Sequence, residues 1–281
     1  MGVFDRRVAI VTGSAQGLGM AVATRMHAEG ARVMMCDLQA DKVAAAAVRL
    51  DPAGANVKSF ALDASASGAA TAMVAAAESA FGGVDILVNV AGGSGVQRAV
   101  HIDEMTDDIW DRIIANNLRS TFVCSRAAVP AMRKRGGGTI VNFATGSIRG
   151  FRGRTTSAAP LAYVAAKAGI IGFTNQLAAD CQDDKIGVAV IQPGFILTEP
   201  GARIRELFDQ MSKAEQDAML RGRTPRPPED IGWAVSYIAS RPWNEVTATA
   251  IRLDGPIKSL ALQMARDPEG QLASTAVLSA V

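Results

Sequence analysis

The sequence contains few cysteines, and their spacing does not favour pairing. Cys36, Cys124 and Cys181 lie far apart in a chain of 281 residues, and their number is odd. Disulfide frameworks and zinc sites need regularly spaced cysteines, so this pattern excludes both, and we expect no bound metal. Reduced thiols are typical of the cytoplasm, where we expect the protein to reside.

The sequence also lacks a strong charge bias and long hydrophobic runs. Its net charge is +2, and its basic residues are scattered rather than collected in one stripe, so a nucleic-acid partner is not expected. No run approaches the roughly twenty apolar residues that a membrane-spanning helix needs. The first residues, MGVFDRRVAIVTG, lead directly into a strand pattern without a small-residue cleavage site. We therefore expect a soluble protein that has no membrane partner.

Short apolar runs alternate with longer alanine-rich segments. Seven runs have the composition of buried strands: RVAIVTG, ARVMMCD, VKSFAL, VDILVNVAG, TIVNFAT, GVAVIQPG and TAIRLDG. Apolar strands separated by helix-length segments predict a parallel sheet covered on both faces, which is a doubly wound (Rossmann-type) α/β fold. We expect one domain over residues 1–281, with a substrate lid at 198–228 and a C-terminal extension at 256–281.

A glycine-rich turn follows the first predicted strand. Gly13, Gly17 and Gly19, with Gln16 and Leu18 between them, separate this strand from the first helix. Glycines of this kind let a pyrophosphate approach the backbone at a helix N-terminus, although an ordinary strand-to-helix turn is an alternative.

An acidic residue ends the second predicted strand. Asp37, followed by Leu38, lies eighteen residues past Gly19, where a carboxylate can accept hydrogen bonds from an adenosine ribose. A helix N-cap is the alternative role. Because a carboxylate would repel a 2′-phosphate, and Gln16 stands where a basic residue would be expected, we predict NAD in preference to NADP.

The segment YVAAK places Tyr163 four residues before Lys167. This spacing puts a phenol and an ammonium group on one face of a helix, one turn apart. The alternative is a chance pair on a solvated helix face. A neighbouring cation would favour the phenolate and bring the pKa of the tyrosine closer to neutral pH.

Together, TGSAQGLG, Asp37, NVAG at 89–92, YVAAK and PGFILT resemble the short-chain dehydrogenase/reductase family. The resemblance extends from about Arg6 to Gly255. It implies that Tyr163 is the general acid/base and that Lys167 lowers its pKa and holds the nicotinamide ribose.

The resemblance also implies roles for an amide and a hydroxyl group. Asn117 matches an asparagine that supports a water in a proton relay, although Asn116 is adjacent. Ser147, in GSIRG, matches the serine that orients the substrate carbonyl. Ser147 and Tyr163 are sixteen residues apart instead of the usual thirteen or so, and counting forward from TIVNF gives Thr145 instead. Ser147 is the preferred assignment.

Further cofactor contacts follow from the same resemblance. They are expected at the ends of the later strands, at Asp63, Asn89, Ala91, Gly92, Pro193, Gly194 and Thr198. The implied function is an NAD-dependent oxidoreductase that transfers hydride between nicotinamide and a small-molecule secondary alcohol or ketone. A non-catalytic dinucleotide-sensing protein on the same fold is the alternative.

Small residues in the expected helices at about 107–134 and 161–181 indicate close packing between subunits, and the resemblance implies a homotetramer. Packing within one chain is the alternative.

The predicted lid and the residues after Ser147 lead to a substrate hypothesis. Apolar lid residues could line a pocket above the nicotinamide: Phe195, Ile196, Leu197, Leu207, Phe208, Met211 and Met219. Five arginines could bind an anionic group of the substrate: Arg149, Arg152, Arg154, Arg203 and Arg205. Solvated or interface arginines are the alternative.

Overall fold

The computed structural model describes residues 2–93, 102–149, 161–196, 198, 206, 208–220 and 225–253. Its first half contains β1 Val8–Thr12, α1 Gly17–Ala28, β2 Arg32–Asp37, α2 Ala40–Leu50, β3 Val57–Ala61, α3 Ser67–Phe81 and β4 Ile86–Asn89. A 3-10 turn, Ile102–Glu104, precedes α4 Asp107–Ile114, a π-helical turn Ala115–Arg119 and α5 Ser120–Arg135. Then follow β5 Gly138–Phe143, a 3-10 turn Gly146–Arg149, α6 Leu161–Asp180, β6 Ile186–Pro193, α7 Lys213–Leu220, α8 Pro228–Ser240, α9 Trp243–Val246 and β7 Ala250–Leu253.

The seven strands form one sheet in the order β3-β2-β1-β4-β5-β6-β7. All neighbouring strands are parallel, which confirms the predicted doubly wound α/β fold. The chain runs outward from β1 to β3 and then returns to place β4 on the other side of β1. In sheets of this kind the crevice beyond the carboxyl ends at such a reversal is the usual ligand site.

Two apolar cores cover the faces of the sheet. On one face, α1 and α8 pack together through side chains that include Met26 and Val235. On the other face, α3 and α5 contribute Met73 and Met132 to a second core. β1 and β6 are buried along their whole lengths, as expected for strands covered on both sides.

The predicted helix from Asp107 to Lys134 is interrupted by one irregular turn. It forms as α4 and α5 joined by the π-helical turn at residues 115–119, which places the Asn117 side chain inside the protein. The predicted helix over residues 161–181 is α6. Within the described residues, no helix combines the length and apolarity needed to cross a membrane.

The two peripheral segments predicted from the sequence are described to different extents. The expected lid, 198–228, contains α7, while most of its other residues and the whole extension at 256–281 lie outside the described residues.

Candidate active site

The turn between β1 and α1 leaves no space for side chains at two of its glycines. Gly13 has a φ of 65°, and a Cβ atom there would lie 2.9 Å from the backbone nitrogen of Ala91. A Cβ atom at Gly19 would lie 2.1 Å from the carbonyl oxygen of Gly13. No side chain caps α1, and its first turn carries no acidic residue. The free N–H groups of this turn are therefore suited to an anionic group such as a pyrophosphate.

The carboxylate of Asp37 is fixed at the end of β2. Its Oδ2 accepts a hydrogen bond from Ala15 N at 3.1 Å, and its Oδ1 accepts one from Gln39 N at 3.0 Å. The neighbouring Leu38 side chain is 73% exposed, which is unusual for a leucine beside a cleft. An adenine bound against Leu38 would remove this apolar surface from water, which is favourable.

A cleft of about 520 Å³ joins these elements. Eleven of the residues predicted to bind the cofactor line it: Gly13, Gln16, Gly17, Leu18, Gly19, Asp37, Leu38, Asp63, Ala91, Gly92 and Thr198. The sequence interpretation missed seven further lining residues: Gln39, Leu62, Ala64, Ser65, Val90, Gly93 and Ser120. Ser120 could have been found, because it follows Asn116 by one helical turn. The described residues that line the cleft include no lysine or arginine.

Two other predicted residues lie behind or beside the cleft. Asn89 is buried, and its Nδ2 donates to Ser125 Oγ at 3.1 Å and to Asn142 Oδ1 at 2.9 Å. Asn142 in turn donates to Thr174 Oγ1 at 3.0 Å. These bonds connect β4 and β5 to α5 and α6, so Asn89 helps to hold the elements around the cleft in position. Pro193 is buried at the end of β6, with Gly194 immediately after it.

The Asn117 side chain binds backbone groups on both sides. Its Nδ2 donates to Gly93 O and Ile113 O, each at 2.9 Å, and its Oδ1 accepts from Gly93 N at 3.1 Å. This side chain therefore ties the turn after β4 to the π-helical turn. Asn116, the alternative residue, lines the cleft.

Tyr163 and Lys167 lie on the first turns of α6, beside the end of β5. The Thr145 side chain lies near the Tyr163 hydroxyl and acts to lower its pKa. Lys167 Nζ donates to Phe143 O at 2.7 Å and lies 5.7 Å from the centre of the Tyr163 ring. The predicted pair therefore comes together with a hydroxyl group at the carboxyl edge of the sheet.

The hydroxyl that contacts Tyr163 belongs to Thr145, whereas the sequence interpretation preferred Ser147. Ser147 lies in the following 3-10 turn, and its backbone N–H donates to Thr145 Oγ1 at 3.3 Å. Thr145 lies only two residues beyond β5, which ends at Phe143. The end of β5 thus brings Thr145 close to α6, whereas Ser147 lies further along, in the 3-10 turn.

The pKa values of the pair move in opposite directions. Burial raises the pKa of Tyr163 to about 12, and the nearby Thr145 side chain opposes this change. Burial lowers the pKa of Lys167 to about 8. The expected lowering of the tyrosine pKa is therefore not present in the protein alone. Desolvation disfavours both charged forms, and a further positive charge is needed to favour the phenolate.

Sequence comparisons identify the family. Residues 7–207 match the family model described as short chain dehydrogenase. The chain belongs to this family. Family members use nicotinamide cofactors, and the glycine turn, Asp37 and the uncapped start of α1 fit the phosphate and ribose groups of such a dinucleotide.

Curated relatives of the chain resemble it over most of their lengths. The short-chain reductase protein NovJ of Streptomyces niveus is 33% identical over 90% of this chain and 94% of its own. 2-(S)-hydroxypropyl-CoM dehydrogenase 3 of Xanthobacter autotrophicus is 35% identical over 90% and 97%. D-beta-hydroxybutyrate dehydrogenase of Cupriavidus necator is 31% identical over 90% and 98%. These names support an oxidoreductase role for the chain.

The predicted substrate-binding residues are only partly described. The rings of Phe195 and Phe208 pack 5.1 Å apart, and Phe208 is buried. Ile196 and Met211 are partly buried. The remaining residues of this hypothesis lie outside the described residues or have side chains outside them: Leu197, Leu207, Met219, Arg149, Arg152, Arg154, Arg203 and Arg205.

The buried ammonium of Lys167 should make the protein without cofactor less stable than a neutral variant. Below pH 8 both the folded and the unfolded chain carry this charge, so replacement by methionine removes its full burial penalty. The Lys167→Met variant should gain roughly 3 kcal/mol in the free energy of unfolding at pH 7. As pH rises from 8 towards 10.5, the folded lysine loses its proton first, so this gain should fall to less than half by about pH 9.5.

Urea unfolding of both proteins at the two pH values measures this change. Lys134→Met is the control, because Lys134 is exposed and its replacement should change the free energy of unfolding by no more than about 0.5 kcal/mol at either pH. A Lys167→Met variant with a pH-independent effect would contradict the assignment of a buried, titrating lysine.

Proposed function

We propose that the protein transfers hydride between NAD and a secondary alcohol or ketone, with Tyr163 as the general acid/base. The observation that carries this proposal is the contact of the Tyr163 hydroxyl with Thr145, next to Lys167, in a short-chain dehydrogenase fold. Two relatives carry names that describe secondary alcohols, 2-hydroxypropyl and beta-hydroxybutyrate compounds, which supports this substrate class.

The residues around Tyr163 divide the work of proton transfer. When bound, the nicotinamide supplies or accepts the hydride. The Thr145 hydroxyl orients the substrate oxygen, and Tyr163 donates a proton to that oxygen during reduction. A phenol with a pKa of about 12 is fully protonated at neutral pH, as this step requires. During oxidation, the positive charges of Lys167 and of the oxidised nicotinamide favour the phenolate, which accepts the alcohol proton.

Replacement of the three candidate residues separates their roles. Tyr163→Phe should lower kcat by about a hundredfold to ten-thousandfold, because it removes the proton donor. Thr145→Ala should be severe for the same reaction, because Thr145 contacts the reacting hydroxyl. Ser147→Ala is the matched control and should be mild. NADH affinity, measured by fluorescence titration, should be nearly unchanged in Tyr163→Phe.

If Ser147→Ala proves more damaging than Thr145→Ala, the serine is the substrate-orienting residue and the assignment of Thr145 is wrong. The alternative function, a non-catalytic dinucleotide sensor, has a different signature. A sensor would bind NADH without consuming it when ketones are supplied, whereas the proposed enzyme would show loss of absorbance from the reduced nicotinamide. A screen of ring and chain ketones provides the substrates.

The charge of the cleft supports NAD as the preferred cofactor. Asp37 lies at the ribose side, and the described lining residues offer no cation to bind a 2′-phosphate. We expect kcat/KM with NAD to exceed that with NADP by about tenfold or more, because two anionic groups would lie close together. Asp37→Asn should reduce this ratio, and Asp41→Asn, an exposed acid on α2, should leave it unchanged. Equal values for the wild type would contradict the preference.

We also propose a homotetramer in which α5 and α6 pair between subunits. Phe122 on α5 is 39% exposed and packs edge to face on Phe173 of α6, with ring centres 6.3 Å apart. This aromatic pair presents apolar surface on adjacent helices, as expected of a subunit contact. A monomeric mass by light scattering at micromolar concentration would rule this out. The three unpaired cysteines favour a cytoplasmic location, which cell fractionation can test.

A further inference from the structure

The segment after β6 is bound by a distant part of the chain. Arg226 N donates to Phe195 O at 3.0 Å, and Ile196 and Arg226 form an isolated parallel β-bridge. Two short stretches, about thirty residues apart in sequence, thus pair in the manner of adjacent strands. This pairing fixes the path of the backbone immediately beyond Pro193 and Gly194.

The side chain of Arg226 anchors this bridge to α8. The guanidinium group is buried, and its Nη1 donates to Asp230 Oδ2 at 2.8 Å. Asp230 is also buried and lies in the first turn of α8, where the helix dipole favours a negative charge. A buried ion pair cannot open without leaving two charges unpaired, so it holds the bridge in one geometry.

A ring contact holds the same segment from the other side. The rings of Phe195 and Phe208 pack 5.1 Å apart, and Phe208 O accepts a hydrogen bond from Gln216 Nε2 of α7 at 2.9 Å. Thr198, two residues after Ile196, lines the cleft. The bridge is therefore linked to α7 and α8, and it lies just before Thr198 of the cleft.

We propose that Arg226 is a positioning residue that, through Asp230, Phe195 and Ile196, holds the segment bearing Thr198 in its cofactor-binding geometry. We call these four residues the Arg226 clamp. The inference rests on the proposed function, since it concerns the nicotinamide end of the dinucleotide. It adds a determinant outside the family match, which ends at residue 207.

The clamp affects cofactor affinity because it sets the fraction of unbound protein molecules in which the segment bearing Thr198 already has its binding geometry. If that fraction falls, the apparent dissociation constant rises in proportion, because binding must first order the segment. Once the cofactor is bound, the segment has the same geometry in the variant as in the wild type. The clamp should therefore change cofactor affinity and KM, with kcat retained at saturating cofactor.

A comparison of two ligands tests this inference. NADH is long enough to contact both ends of the cleft. ADP-ribose lacks the nicotinamide, so it contacts only the end formed by Gly13 and Asp37. The double variant Arg226→Met/Asp230→Asn removes both charges of the ion pair together, so neither member of the pair is left buried without the other. The dissociation constant of NADH should rise about tenfold, which equals about 1.4 kcal/mol, while that of ADP-ribose stays within about twofold.

The control is Arg241→Met/Glu245→Gln, which removes another arginine–carboxylate pair with the same spacing on the outer side of α8 and α9. It should leave both dissociation constants unchanged. If the first double variant does not fold, Phe195→Leu weakens the ring contact instead and should produce the same split between ligands.

Three outcomes of the titrations have distinct meanings. Equal weakening of NADH and ADP-ribose would show that the ion pair has only a structural role and would overturn the inference. Unchanged binding of both ligands would overturn it as well. A wild-type protein that binds neither ligand would overturn the proposed function itself, and this result is distinguishable because it requires no variant.

Discussion

The site depends on one row of polar side chains at the carboxyl ends of three parallel strands. The register pairs Thr12 of β1 with Asn89 of β4, and Asn89 with Asn142 of β5. Thr12 Oγ1 accepts hydrogen bonds from the backbone nitrogens of Val90 and Ala91, each at 3.1 Å. Because the turn after β4 is held by this row, it can approach Gly13 closely enough to exclude any side chain there.

The same row determines where α6, the helix of Tyr163 and Lys167, lies. Asn142 donates to Thr174 on α6, and Asn89 donates to Ser125 on α5. A buried amide that loses such a partner carries a desolvation penalty of about 1–3 kcal/mol, so α6 is strongly restrained from sliding along β5. Tyr163 and Lys167 lie on this restrained helix. Their position beside Thr145 thus follows from a hydrogen bond to Thr174, which is about two turns from Lys167 and about three turns from Tyr163 along α6.

Burial of Tyr163 and Lys167 lowers the stability of the fold but makes the pair more sensitive to an added charge. A dry environment disfavours both the phenolate and the ammonium, as their displaced pKa values show. Lys167 remains close to the phenol because the carbonyl oxygen of Phe143 accepts its hydrogen bond. In such surroundings an added positive charge acts with little screening. The oxidised cofactor would therefore alter the proton affinity of Tyr163 more strongly than it could at an exposed site.

The sequence predicted the parts of the molecule that short-range patterns determine. Strand runs, the glycine turn and the spacing of Tyr163 and Lys167 all depend on residues that are close together in the sequence. The hydroxyl that lies beside Tyr163 cannot be predicted in this way, because the distance from Thr145 or Ser147 to Tyr163 depends on how β5 ends. The irregular turn around Asn117 was likewise missed, since helical periodicity cannot show which residues adopt π-helical bonding.

The ion pair of Arg226 with Asp230 shows a further limit of sequence patterns. Its spacing of four residues is that of many exposed pairs on helices, such as Lys213 with Asp217. Only the fold shows that one pair is buried and bridged to Ile196 while the other lies in solvent. The same spacing therefore stabilises a helix surface in one case and fixes a cofactor-facing segment in the other.

The two ends of the cleft are built by different physical means. At the end formed by β1, α1 and β2, the cleft is lined by glycines, the uncapped start of α1 and one carboxylate, Asp37, so its shape depends mainly on the path of the backbone. At the end of Thr198, the path after β6 depends on side chains of Arg226, Asp230 and Phe208, which lie beyond the family match at 7–207. The first arrangement suits a cofactor common to a family. The second depends on side chains from separate parts of the chain, and it adjoins Thr198 in the cleft.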